Sequence, residues 1–173
     1  MEKDRALFWS FSLMVYRDSN VQKECLDLQD RFGVDVNLLL FCAFAGAIHH
    51  AVLPARDLQD AAALVDGWHK DVVRNLRATR RVLKPFATGS SSIAPAAEAL
   101  RNDVKGLERE AERLEQAMLA SWSIERLGLW PREPAAEAVA ANVRTLLTLR
   151  APAAGEHVLP ANLIAVAVAA SVQ

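Results

Sequence analysis

The sequence predicts an all-α protein, a single domain over residues 1–173 with about six or seven helices around an apolar central helix at 36–52. Three observations lead there. Apolar residues recur at three- and four-residue spacing along most of the chain, and β-branched alternation is almost absent before the C-terminus. The run from Leu38 to Ile48 is apolar without a break, so a helix built on it must be covered on every side. At 173 residues and 52% hydrophobic, the chain is long enough for one sizeable core and too apolar for wholesale disorder.

Each element follows from local signals. A first helix covers about Arg5 to Tyr16, with Leu7, Phe8, Phe11 and Val15 on one side and Trp9, Leu13 and Tyr16 on another. A second runs from about Asn20 to Phe32, with Asp18 or Ser19 as its N-cap and Gly33 as the left-handed residue after its end. Asp35 caps the central helix, Val34 can staple onto Leu39, and Pro54 is the expected stop. The next helix spans about Leu58 to Leu83, with Asp57 as cap and Pro85 as terminator.

Residues 86–95, containing Thr88-Gly89-Ser90-Ser91-Ser92, read as a mobile loop rather than a domain boundary. Ala96 to Leu127 reads as a long helix, closed by Gly128 and Pro131. Its Leu100, Val104, Leu107, Ala111, Leu114 and Met118 form a narrow seam suited to an antiparallel helix, within the chain or in a second copy. Ala135 to Leu149 follows Pro134 as another helix. After a turn at Pro152–Gly155, Pro160 to Val172 is assigned to helix, with strand as the alternative.

Composition narrows the class of function. The net charge of −1 gives no bulk attraction to nucleic acid or to an anionic membrane, so either would need a local patch. Cys25 and Cys42 both sit in helical patterns, which argues for a reduced compartment rather than a disulfide framework. The mixed-sign N-terminus is no signal peptide, and the longest apolar run is eleven residues against the roughly 20 that a spanning helix needs. A soluble, cytoplasmic protein without a membrane span is expected.

The strongest pattern outside the core is basic. Lys70, Arg74, Arg77, Arg81 and Lys84 recur at four, three, four and three residues, so a helix stacks them in one stripe, with Arg80 on its flank. Val65, Trp68, Val72, Leu76 and Leu83 fall on nearly the opposite face. Guanidinium groups at such spacing can fork onto phosphate or carboxylate. The plainer expectation is a solvated face that pairs with Glu108, Glu110, Glu112 and Glu115 of the next helix.

A second polar set comprises Asp30, Asp35, Asn37, His49, His50 and His69. A carboxylate pair beside a core could do acid–base chemistry, but capping accounts for Asp35, and Asn37 can bond across helices. Adjacent His49 and His50 point about 100° apart on a helix, which does not suit a shared metal. The chain has no Gly-x-Ser-x-Gly and no phosphate-binding Gly-rich loop, and Cys25 has no local base. Trp9, Trp68, Trp122 and Trp130 suit a core better than a ligand pocket. No catalytic residue, metal ligand or cofactor is assigned.

Phe8-Trp9-Ser10-Phe11-Ser12-Leu13 with Val15-Tyr16, Cys25-Leu26-Asp27-Leu28-Gln29-Asp30, and Asp35-Val36-Asn37-Leu38-Leu39-Leu40 resemble the motifs of an uncharacterised bacterial family of small all-helical proteins. The stretch from Trp68 to Lys84 is similar to that family's middle segment. The resemblance covers roughly residues 7 to 120, and nothing is recognised past Trp122. It implies that the aromatic motif, the Asp-x-Asn helix start and the Arg stripe belong to one kind of protein, and it supplies no activity.

The expectation is therefore a non-catalytic interaction or accessory protein. It would bind a protein partner or itself through the seam helix and the Arg-rich face. The alternative is a protein that binds an anionic small molecule or cofactor, and could be an enzyme, with its pocket between the first helix and the His49-His50 end. Nucleic-acid binding through the stripe ranks last, because the rest of the chain is slightly acidic, and the lack of an interleaved aromatic weakens a single-strand reading in particular.

Overall fold

The computed structural model describes residues 2–152 and 159–171. The described residues form seven helical rods: α1 (Glu2–Val15), α2 (Ser19–Phe32), α3 (Val36–His49), a rod made of α4 (Ala55–Trp68), a π-helical turn (His69–Val73) and α5 (Arg74–Ala87), then α6 (Ala94–Ile124), α7 (Ala135–Arg150) and α8 (Ala161–Ala170). The protein is all-α; its one β-type pairing among these residues is an isolated bridge between Ala51 and Arg132. No helix among them is long and apolar enough to cross a membrane. The chain divides into two compact units, Met1–Leu64 with Gln116–Gln173, and Val65–Glu115.

The first unit is built around α3, as its composition requires. Every residue from Asn37 to Ala47 is buried. Phe8 stacks on Phe44 at 4.8 Å and meets Phe41 edge-on, while Phe11 meets Phe44 at 5.5 Å. On another side α7 crosses so closely that a Cβ on Gly46 would lie 2.5 Å from the backbone nitrogen of Val139. Here glycine is chosen for its missing side chain, because two backbones share the space.

Local capping works as the sequence predicts. Asp18 accepts from the N–H groups of Asn20 and Val21, Asp35 accepts from Asn37 N–H, and Gly33 adopts φ 69°. Several boundaries differ. The central helix stops at His49, short of the expected Val52, because His50 takes the left-handed conformation at φ 55° and returns its N–H to Ala45. Pro54 therefore precedes α4 instead of ending α3. Asp57 does not cap α4, which starts at Ala55; its carboxylate accepts from the Trp130 indole.

Pro85 does not terminate its helix either. It lies within the last turn of α5, and Thr88 closes the end by donating both its N–H and its hydroxyl to Lys84 O. The loop expected over 86–95 accordingly shrinks to the residues between Ala87 and Ala94. The rod expected at 58–83 is continuous but not uniformly α-helical. Its π turn sends the Arg74 N–H to His69 O, one residue further than an α-helix would. The last segment is helical, and part of the turn expected at Pro152–Gly155 lies outside the described residues.

Two distant contacts complete the first unit. Asn142 on α7 donates to Cys42 O and Ala51 O and accepts from Leu53 N–H at 2.8 Å, which satisfies the backbone where α3 has ended. Glu24 on α2 accepts from Asn162 N–H and Leu163 N–H, so a carboxylate far along the chain supplies the N-terminal cap that α8 lacks locally.

Gly46→Ala should therefore lower stability by about 1–3 kcal/mol through forced separation of α3 and α7. Gly67→Ala is the matched control: its Cβ would enter open space, and helix propensity should raise stability by about 0.5–1 kcal/mol. Urea midpoints of the two variants against wild type measure both, and equal shifts would refute the close-crossing account.

Candidate functional site: a helical hairpin with two unlike faces

The second unit is an antiparallel hairpin, in which α6 up to Glu115 returns along the rod that ends in α5. Polar bonds between its arms set their register. Trp68 Nε1 donates to Ala111 O at 3.0 Å, and His69 Nδ1 lies 3.2 Å from the wholly buried carboxylate of Glu115. Arg77 donates through Nε to Glu108 at 3.0 Å and through Nη2 to Glu112 at 2.7 Å. Arg80 donates to both oxygens of the same Glu108.

Burial and pairing shift these groups in opposite senses. For Glu108, burial pushes the carboxyl pKa up, but hydrogen bonds from Arg80 and Arg77 outweigh it and hold the group below its usual value. Glu112 is raised: burial dominates its attraction to Arg77, and the neighbouring acids Glu108 and Glu115 add to the rise. The Arg77 guanidinium resists desolvation through the same two glutamates and is held above its usual range.

This pairing decides which faces stay outside. On α6, Ala97, Val104 and Ala111 form a buried row. At about 100° per residue, Leu100, Leu107 and Leu114 fall about 60° to one side of that row, and Glu108 and Glu112 about 60–100° to the other. On α5, Arg77, Arg80, Arg81 and Lys84 fall to one side of half-buried Leu76 and Leu83, while Asn75, Thr79, Val82 and Phe86 fall to the other. Since Arg77 and Arg80 meet Glu108 and Glu112, the arginine side of α5 adjoins the glutamate side of α6. The Thr79–Phe86 side then adjoins the leucines.

The hairpin thus carries a basic face and an apolar face. Arg74, Arg81 and Lys84 are exposed on the first, and exposed Lys105 and Arg109 of α6 join them there. Val82, Phe86, Ile93, Leu100, Leu107 and Leu114 remain between 46% and 65% exposed, and α5 buries no residue at all.

The residues singled out in the sequence separate accordingly. Arg77 is committed to the internal ladder, Lys70 pairs with Asp66 at 2.7 Å, and Arg74, Arg81 and Lys84 are exposed. In the second set, Asp35 and Asn37 sit together at the start of α3, where Asn37 Oδ1 accepts from Gln116 Nε2. His49 and His50 lie at its other end, about 18 Å away by helical rise. There His49 edges onto Phe44 at 5.0 Å, its carbonyl accepts from Arg132, and burial lowers its pKa, with the Arg132 charge helping. Asp30 is exposed on α2, and His69 belongs to the hairpin.

Lys105, Arg109, Val82, Phe86 and Ile93 were not selected from the sequence. Pairing α5 with α6 in antiparallel register would have found them, because the faces join only across two helices. The cysteines offer no reactive thiol: both are buried, and burial pushes Cys25 up to about 12.

The two glutamates should give opposite pH signatures. Glu108, depressed in the fold, contributes stability that is present above its unfolded value of 4.5 and lost as pH falls through its folded pKa. Glu112, raised in the fold, contributes stability present below 4.5 and lost as pH rises through its folded pKa. Urea denaturation from acid to neutral pH should show Glu108→Gln flattening the acid loss and Glu112→Gln steepening it. Same-sign changes would refute the ladder. At neutral pH Glu108→Gln should cost about 1–3 kcal/mol, between an exposed and a buried ion pair.

No curated protein and no solved structure matches the chain. A family model described as a protein of unknown function, DUF2390, matches residues 7–119, from α1 through the leucine row of α6. On that match over well more than half its length, the chain belongs to the DUF2390 family.

Proposed function

We propose that this protein is an interaction or accessory protein that uses the α5–α6 hairpin to hold a protein partner or a second copy of itself. One observation carries the reading. The hairpin leaves six large apolar side chains 46–65% exposed on one face, while α5, fourteen residues long, has no fully buried residue. Helices draw most of their stability in proteins from a covered apolar face, and contiguous exposed apolar surface marks interaction sites. The basic face offers a second contact surface, in which Arg74, Arg81, Lys84, Lys105 and Arg109 suit acidic groups on a partner.

The two faces make separable contributions. Apolar contacts near the centre of an interface carry most of the binding energy, whereas exposed rim charges act mainly on the association rate and its salt dependence. Capture of partners on immobilised protein should therefore be abolished by Leu107→Glu with Leu114→Glu, with the helical circular-dichroism spectrum unchanged. Arg74→Glu with Arg81→Glu should slow capture and weaken its salt dependence. Arg77 is no test residue, because its replacement would break the internal ladder. Undiminished capture by the leucine variant would refute this reading.

A further inference from the structure

Resting on that reading, we infer that the occupant of the apolar face is a second copy of this chain, its α6 laid antiparallel along α5 of the first, so that two hairpins form a four-helix bundle. Self-complementarity points there. The face carries both halves of a contact, a row of leucines on α6 and the Asn75, Thr79, Val82, Phe86 side of α5. The ladder sets these rows at matching levels: Arg77 beside Glu108 and His69 beside Glu115 put Leu107 level with Thr79 and Leu100 level with Phe86. A twofold axis along the hairpin keeps those levels and stacks the α6 of each copy over the α5 of the other. Every contact is then made twice, as an isologous pair requires. All neighbouring helices run antiparallel, as in an up-down bundle.

Coverage selects this arrangement over its nearest rival. The seven-residue leucine spacing would also let α6 pair with α6 about Leu107. That pairing covers the leucines but leaves Val82 and Phe86 of α5 exposed, at 65% and 53%. Stacking α6 over α5 covers both rows at once. Over α5 the leucines meet a strip without an acid. The cations Arg74, Arg81 and Lys84 lie on the opposite face, turned away from the seam, so joining two copies opposes no like charges across it.

Light scattering after size exclusion, over the micromolar range, tests the pairing on the full chain. Wild type should rise with concentration from 18.9 kDa toward twice that mass. Leu107→Glu and Phe86→Glu should each weaken association about 100-fold or more, their helical spectra unchanged. Under mild oxidation, Leu107→Cys mixed with Thr79→Cys should form a crosslinked heterodimer, and Leu107→Cys alone should not crosslink with itself. A wild-type monomer throughout the range, a dimer indifferent to Leu107→Glu, or efficient Leu107→Cys self-crosslinking would each overturn the inference. Partner capture separates the two ideas. If wild type is monomeric yet Leu107→Glu abolishes capture, the second copy is wrong and the docking face stands; if Leu107→Glu changes neither mass nor capture, both fall.

Discussion

Glu108 is shared by two arginines, and the hairpin's geometry depends on that sharing. A carboxylate with only 7% of its side chain exposed must be matched by donors, and Arg77 and Arg80 lie three residues apart on one side of α5 to supply them. Two helices joined by a short turn could meet at many rotations about their axes. An apolar contact alone would permit several, because leucine and alanine rows pack without strict direction. A guanidinium–carboxylate ladder is directional, and few rotations satisfy it. Buried ion pairs add little net stability against apolar replacements, so the ladder's value here lies in fixing one arrangement. With that rotation fixed, the leucine row of α6 has no place inside the hairpin.

What the sequence makes legible is local. Asp18, Gly33 and Asp35 act within one helical turn, and each does what its side chain or its φ freedom dictates. The apolar run of α3 forces burial whatever its neighbours are. The features that escape it are made across distance. The end of α3 at His50 makes sense only beside Asn142, about ninety residues away, which takes up the freed backbone groups. The cap of α8 is a glutamate on α2, and the work of Asp57 is decided by Trp130. In each case a local rule names a plausible role and a distant partner assigns another.

The Arg stripe is the instructive mixture. Its spacing places Arg74, Arg77, Arg81 and Lys84 on one side of a helix, and the acids of α6 are visible as candidate partners. Spacing cannot say how deeply each lies. Arg77 stands about 100° from half-buried Leu76 and reaches inward, whereas Arg74 and Arg81 stand roughly 140–160° away and reach outward. The π turn adds a further uncertainty that no periodicity reveals. It inserts a residue before Arg74, so phases read from Trp68 and Lys70 do not carry over to α5.

The hairpin and the α3-centred unit solve the burial problem differently. Around α3 the apolar core is closed by rings, by the Gly46 crossing and by a buried asparagine. Two of the few buried side chains in Val65–Glu115 are glutamates, Glu108 and Glu115, held by an arginine pair and a histidine. The ladder fixes the rotation of α5 on α6 and with it which residues are covered, so the leucine face and the basic face are set together.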